Sequence, residues 1–384
     1  MISIDHNATT RPSPGVCAAM QRACLDLWEN PSSVHRAGQA VRREVELARQ
    51  ALADLIGARA REVLLTSGGT ESIDLAIRGS LDAQGPGRGL VTTRVEHAAI
   101  RDIAQAWEKD GTRPVRWLNV GPSGLVDLTD LGSALDASTG LVSIQWANNE
   151  TGVVQPVREI ADACRRRGVL FHCDATQWVG KEPTPAPAGD LLTFAPHKFH
   201  GPKGVGVLWT RPGVPLRPRL LGTQELGRRG GTENVPGILG AGVAAREALE
   251  WLRDGDERAR LSALRDEFER SVLKGVPDAV VNAAAAPRLW NTTNIAFPRL
   301  AAEALLMLLS EQGLCASAGA ACSSGSLEPS PVLLAMGIPE PLAHGSLRFS
   351  LSRHTTREEL DSAAAIIARS VARLRGSSSA ALGR

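Results

Sequence analysis

Tyrosine is absent from all 384 residues, and aromatic residues together make up only 4% of the chain. Nothing in the sequence explains that absence physically. Cysteine is sparse: Cys17, Cys24, Cys164, Cys173, Cys315 and Cys322 are the six, and none forms a CxxC pair. In a chain of this length that pattern excludes a disulfide framework and a structural zinc site. No metal site is expected, and most of the six read as small buried hydrophobes. Charge of one sign is lacking as well. The formal net charge is +2, and basic residues cluster only briefly, as in Arg165–Arg167 and Arg228-Arg229. This gives no electrostatic ground for direct binding to nucleic acid or to an anionic membrane. No apolar run reaches membrane-spanning length, and residues 1–10 lack the charged-then-apolar order of a signal peptide. There is no internal repeat. The default reading is a soluble cytoplasmic protein.

What is present is a globular composition, 43% hydrophobic and 22% charged, over a length that suggests two domains sharing an interface. Val41, Val45, Ala48, Leu52, Leu55 and Ile56 fall three and four apart and predict one helix face, stopped by Gly57. Short apolar runs recur at Val63–Thr66, Gly89–Thr93, Val115–Leu118, Leu141–Trp146, Val169–Cys173, Leu191–Phe194 and Val205–Trp209. Several are separated by amphipathic stretches such as Ile100–Lys109 and Val157–Arg167. That alternation predicts an α/β fold with a mainly parallel sheet covered by helices. The run Gly204–Trp209 follows its predecessor so closely that an antiparallel strand is expected. After about residue 250 the pattern changes. A charged helix at Leu252–Leu273, a strand entry at Pro287–Pro298, a helix at Ala301–Gln312 and a strand at Ser346–Leu351 predict a smaller α/β domain. Thr356 to Glu359 forms a capping box for the last helix. The small-residue tail from 377 to 384 is expected to be disordered.

Several segments carry the residue types of a catalytic site. Lys198 lies in the run Phe194–Gly204, and Asp174 in His172–Gln177 some twenty residues earlier, each after a strand-like approach. An amine able to form an imine and a carboxylate able to pair with a pyridinium nitrogen are the minimum equipment for pyridoxal phosphate (PLP) chemistry. An arginine would satisfy Asp174 equally well. Thr66–Ser72 follows a strand and opens a helix, so Gly69 and Thr70 could cradle an anion or simply form a capped turn. Asn148–Gly152 sits at another strand end, where ligands gather in open α/β sheets, although Asn-rich turns are common. His97, after Glu96, could stack on a ring and shuttle protons, or act only as a structural hydrogen-bonding residue. Arg228–Asn234 reads as a flexible surface loop. Ser317–Ser326 consists of small residues and predicts a mobile loop in which Cys322 could reach a ligand and withdraw. Cys315 reads as buried.

Taken in order, Asp5–Thr10, Asn30–His35, Ser67–Ser72, Glu96-His97, Asn148–Gly152, Asp174–Gln177, His197–Gly204, Gly231-Thr232, Ala321–Pro329 and Arg348 resemble the cysteine desulfurases of the nitrogen-fixation and iron–sulfur-cluster type, PLP enzymes of aminotransferase class V. The resemblance implies the PLP-dependent transferase fold (fold type I) with a seven-stranded sheet. It implies a large domain at 12–250, and a small one from 1–11 and 251–376 that carries the catalytic cysteine. It implies that Lys198 holds PLP and moves protons, that Asp174 pairs with the pyridine nitrogen, that Gln177 bonds the phenolate oxygen, and that His97 stacks on the ring. Gly69, Thr70 and His197 would hold the phosphate, with Thr232 reaching in from the second subunit of a homodimer. Asn149 and Arg348 would bind the substrate carboxylate, Asn149 also contacting the cofactor, and Cys322 would be the nucleophile. L-cysteine would become L-alanine, its sulfur held as a persulfide on Cys322 for an acceptor protein such as an iron–sulfur scaffold or a thiolation enzyme. A selenocysteine lyase, a C–S lyase or a transaminase of the same class is the alternative. One departure stands out. The family usually has serine two residues before the His-Lys pair, where this chain has Ala195, so one phosphate hydrogen bond should be missing unless another donor replaces it.

Overall fold

The computed structural model describes residues 1–318 and 328–382. Its strands are β1 (Ile2–Ser3), β2 (Val63–Thr66), β3 (Gly89–Thr93), β4 (Val115–Leu118), β5 (Thr139–Gln145), β6 (Leu170–Asp174), β7 (Leu191–Phe194), β8 (Gly206–Thr210), β9 (Val280–Val281), β10 (Thr292–Ala296), β11 (Leu314–Cys315) and β12 (Ser346–Ser350). Seven of them form one sheet in the order β2-β8-β7-β6-β5-β3-β4. All its neighbours are parallel except β8, which runs antiparallel to both β2 and β7, as the close spacing of Gly204–Trp209 predicts. Most of these strands are apolar runs buried along their whole length, as expected for a sheet covered on both faces. Successive residues point to opposite faces. Leu64, Leu141, Leu191 and Leu208 enter one core, while Leu65, Val142, Leu192 and Val207 enter the other.

The helices follow local chemistry. Arg36–Leu55 starts at His35, whose side chain accepts from the Gly38 amide, and it buries Val41, Val45, Ala48 and Leu52. It ends at Gly57, which has φ +65°. A Cβ there would also lie 2.1 Å from the Pro185 carbonyl oxygen, so glycine is required twice over. Val157–Arg167 spans the predicted residues, closes with three arginines in its last turn and hands over to left-handed Gly168, which suits both the dipole and the backbone.

A separate core gathers Ile4, Phe268, Ile295, Phe297, Leu305, Phe349 and Ile367. It lies around a three-stranded sheet in the order β12-β10-β9 and the parallel pair β1–β11. The capping box is formed: the Thr356 amide donates to Glu359 Oε2 at 3.0 Å, and the Glu359 amide to Thr356 Oγ1 at 3.2 Å.

Some expectations require correction. Two helices, Pro14–Asp26 and Val235–Trp251, have no clear apolar period to announce them; the second packs on both Arg36–Leu55 and Pro14–Asp26. The second buries glycine and alanine, which pattern reading treats as neutral. Cys17 and Cys24 are exposed rather than buried, because Pro14–Asp26 buries the face of Val16 and Ala23 and each cysteine follows one of those residues. Cys315, in β11, is half-buried rather than buried. The last helix continues from Arg357 to Leu382, so the segment expected to be disordered from 377 is helical that far. Its alanines extend a helix already nucleated by packing.

One buried ion pair ties the first long helix to the sheet. Arg49 donates to Glu225 through Nη1 at 2.6 Å and Nη2 at 2.9 Å, and to the Val63 carbonyl at 3.1 Å. Glu225 also accepts from the Leu65 amide. Removing one partner strands the other charge, so Glu225→Ala should cost about 3–5 kcal/mol in urea denaturation. The paired change Arg49→Met with Glu225→Leu should recover most of it. Unchanged stability in the single variant would show that the pair does not hold this corner.

Candidate active site

A cavity of about 620 Å³ opens beyond the carboxyl ends of the parallel strands, the usual ligand position in such sheets. Gly69, Thr70, His97, Asn149, Asp174, Gln177, His197, Lys198 and Arg348 all line it. Nine candidates spread over 280 residues of sequence thus meet at one place. Thr232 is not among the lining residues; it is exposed in its own chain. Cys322 lies outside the described residues.

Each side chain is delivered by a definable element. Asp174 is the last residue of β6, with Gln145 and Thr193 beside it on the neighbouring strands. Its Oδ1 accepts from the Thr176 amide at 3.0 Å. Lys198 ends a short 3-10 turn, Pro196–Lys198, just beyond β7. The turn is clamped by the N-terminal segment: the Thr10 amide donates to the His197 carbonyl at 2.9 Å, and the His200 amide to Thr10 Oγ1 at 2.6 Å. Lys198 Nζ donates to the carbonyls of Asn7 at 2.7 Å and Ala8 at 2.8 Å. Gly69 and Thr70 begin a helical stretch, and both line the cavity.

His97 caps the helix Ala98–Asp110, its Nδ1 accepting from the Ala99 amide at 3.1 Å. Its structural reading is therefore met, and the same ring lines the cavity. The neutral ring keeps its proton on Nε2, and burial holds its pKa below the ordinary value, partly opposed by Asp174. Burial pushes His197 down to about 4, with Lys198 adding to the effect. Its Nδ1 pairs with Thr9 Oγ1 at 3.1 Å. Glu96 is fully buried, and desolvation raises its carboxyl well above the usual range. It accepts from Thr93 Oγ1 and from the Gln145 amide.

Arg348 comes from β12 of the second core. Its Nη2 donates to Asp5 Oδ1 at 2.6 Å and its Nη1 to the Asn149 carbonyl at 3.1 Å. Its Nε is buried with no hydrogen-bond partner among the described residues. A guanidinium edge with an unused donor is equipped to receive a carboxylate.

The comparisons with known proteins agree with this geometry. The aminotransferase class-V family model matches residues 2–362. Cysteine desulfurase 2 of Trichormus variabilis is 46% identical over 378 residues, covering 98% of this chain and 94% of that protein. The chain belongs to the class-V aminotransferases, among their cysteine desulfurases. A solved structure described as a NifS-like protein superposes with a TM-score of 0.87 at 33% identity, covering 96% of this chain and 98% of that one. SspA, solved in complex with cysteine, gives a TM-score of 0.79 at 30% identity, covering 93% of this chain and all of that one, 100%.

The site also uses residues to which sequence reasoning gave no role. Asn7 stands within the quoted Asp5–Thr10 motif, and its carbonyl accepts from both Lys198 Nζ and Gln177 Nε2. Lys181 is fully buried; its Nζ donates to Gln177 Oε1 at 2.5 Å and to Asn7 Oδ1 at 2.8 Å. Burial, with Lys198 and Arg348 nearby, pushes its pKa well below that of an ordinary lysine. A lysine four residues after Gln177 was the available signal, since that spacing returns to one side of a helical turn.

Beneath the site, His172 is fully buried between Ser143 Oγ at 2.8 Å and Thr193 Oγ1 at 3.0 Å, and burial lowers its pKa to about 4. The unfolded chain protonates this group near its ordinary 6.5, the folded chain only near 4. Stability is therefore lost as pH falls through that window, by up to about 1.4 kcal/mol per pH unit for this residue. Glu96 and Glu150, whose pKa values are raised by burial, act with the opposite sign. The informative quantity is thus the difference between variants. His172→Gln should flatten the fall in urea midpoint between pH 6.5 and pH 4 relative to wild type; an equal slope would contradict the assignment.

Proposed function

We propose that this protein is a PLP-dependent cysteine desulfurase that converts L-cysteine to L-alanine and keeps the sulfur as a persulfide on Cys322. The observation that carries the reading is Lys198 and Asp174 in one cavity with His97, Gln177 and Arg348. The residues fit PLP. The cavity presents an amine held between neutral carbonyls, a buried carboxylate and an imidazole. At its phosphate end the helix-opening Gly69 has space beside it: a Cβ there would find nothing nearer than Ala195 Cβ at 3.6 Å.

Lys198 would hold PLP, Asp174 would pair with its pyridine nitrogen, Gln177 would bond its phenolate oxygen, His97 would stack on its ring, and Gly69, Thr70 and His197 would hold its phosphate. When bound, PLP supplies an electron sink for charge released at the substrate α-carbon. The protein's own contributions follow from its geometry. Lys198 Nζ carries the proton removed from the α-carbon. Neutral His97 offers a proton at Nε2. Arg348 and Asn149 orient the substrate carboxylate, and the unused Arg348 Nε supports that role.

The sulfur step balances without an external oxidant. The substrate C–S bond breaks, a bond forms between that sulfur and the Cys322 sulfur, and a proton goes to the carbon, giving alanine and a persulfide. The anchors of the Cys322 segment support its reach. Ser317 exchanges two backbone hydrogen bonds with Arg348, at 2.7 and 3.2 Å. Beyond the segment, Ser330 Oγ donates to Glu150 Oε2 at 2.5 Å. Arg348 and Glu150 both line the cavity, so the segment leaves and returns at the edge of the site. Two other cysteines suit the task less well: burial pushes Cys164 up to about 12 and Cys173 well above the ordinary thiol value.

The active unit is a homodimer in which Thr232 reaches the partner's phosphate site, an arrangement suited to a twofold axis. The exposure of Thr232 in its own chain is consistent with this. No helix among the described residues is long and apolar enough to cross a membrane, and the proposed setting is the cytoplasm. The persulfide would pass to an acceptor protein, an iron–sulfur scaffold or a thiolation enzyme.

The test follows the sulfur. After incubation with L-cysteine, alkylation and peptide mass mapping, one extra sulfur should lie on Cys322. Cys322→Ser should bind PLP normally yet produce alanine at less than about one-hundredth of the wild-type rate, since a hydroxyl is a poor nucleophile toward sulfur. Lys198→Ala should lose the PLP-mass label that borohydride reduction leaves on Lys198 in wild type. Extra sulfur on Cys173 or Cys315, or wild-type turnover by Cys322→Ser, contradicts the mechanism. A transaminase or lyase would then be the better reading.

A further inference from the structure

The phosphate end of the cavity lacks a hydroxyl at Ala195, which is buried and offers only a methyl group. A second side chain stands beside the same point. Thr176 lines the cavity, and its Oγ1 is buried with no hydrogen-bond partner among the described residues. An ideal Cβ built on Gly69 would stand 3.6 Å from Ala195 Cβ and 3.8 Å from Thr176 Oγ1. The two side chains therefore flank one position at the opening of the helix. The Thr176 backbone is fixed there by its amide, which donates to Asp174 Oδ1 at 3.0 Å.

A buried hydroxyl left without a partner is costly, and native structures avoid it unless a ligand or water completes the bond. A dianionic phosphate beside free helix amides is the acceptor such a hydroxyl would meet. We infer that Thr176 Oγ1 donates to the phosphate of PLP and so fills the place that Ala195 leaves empty. The inference rests on the PLP reading above and adds a residue that touches the cofactor. It also links the two ends of the ligand. Thr176 and Asp174 share one turn, so the segment that pairs with the ring nitrogen would hold the phosphate too.

Binding rather than turnover tests it. Dissociation constants for PLP and for pyridoxal, which lacks the phosphate, are measured by absorbance titration of the apo-protein. Thr176→Val should weaken PLP by about tenfold or more, the loss expected for one hydrogen bond to a charged group, and leave pyridoxal unchanged. Thr176→Ser should stay close to wild type. Ala195→Ser in the Thr176→Val background should restore part of the loss. If Thr176→Val binds PLP as wild type does, or loses PLP and pyridoxal equally, the inference is overturned while the cofactor reading stands. Wild-type protein that takes up no PLP overturns both.

Discussion

The site depends on the hydrogen bonding of one asparagine. Asn7 is almost fully buried. Its carbonyl accepts from Lys198 and Gln177, its side-chain oxygen from Lys181 and Asn291, and its side-chain nitrogen donates to the Asn149 carbonyl and to Thr292 Oγ1. Its own amide donates to Ser350 Oγ. These partners come from the large sheet's loops on one side and from the sheet of the second core on the other. A buried network of this kind is stable only when every member is satisfied. Asn7 therefore fixes the distance between the amine-bearing turn and the strand that carries Arg348.

The same junction sets the charge state of the cavity. The oxygens that surround Lys181 belong to amides rather than carboxylates, which is why burial lowers its pKa instead of pairing it. Two lysines this close disfavour each other's charge, and Lys198 adds to the burial that lowers Lys181. On the opposite wall, burial raises Glu96 and lowers His97 and His197. All three shifts favour the uncharged forms on that wall.

Much of this was legible in the sequence, and the reasons are specific. Val63–Thr66, Gly89–Thr93, Leu141–Trp146 and Leu191–Phe194 announce themselves because a strand buried on both faces is a continuous apolar run with polar ends. The site residues stand at those ends, so Asp174, Lys198, Gly69 and Asn149 could be found by where the runs stop. Asn7 resisted because its partners lie more than a hundred residues away, which no local pattern encodes; Lys181 offered only its spacing from Gln177. Val235–Trp251 resisted because its buried face is built from glycine and alanine. Cys17 and Cys24 misled because composition says only that cysteines tend to be buried; one step around a helix decides the matter. The tail was misread because small residues suit both a coil and an extended helix, and the preceding turns favoured the helix.

The central claim is that sulfur leaves bound cysteine by transfer to the protein itself rather than by release. The most direct measurement is a burst experiment with the PLP-loaded enzyme and L-cysteine kept to a few equivalents, with no acceptor and no thiol other than the substrate present. Alanine and protein-bound persulfide should rise together to about one equivalent per protomer and then level off, because the proposed sulfur acceptor Cys322 is used up. Continued production of free sulfide and pyruvate without such a plateau, or a keto acid formed with PLP converted to its amine form, would contradict the account.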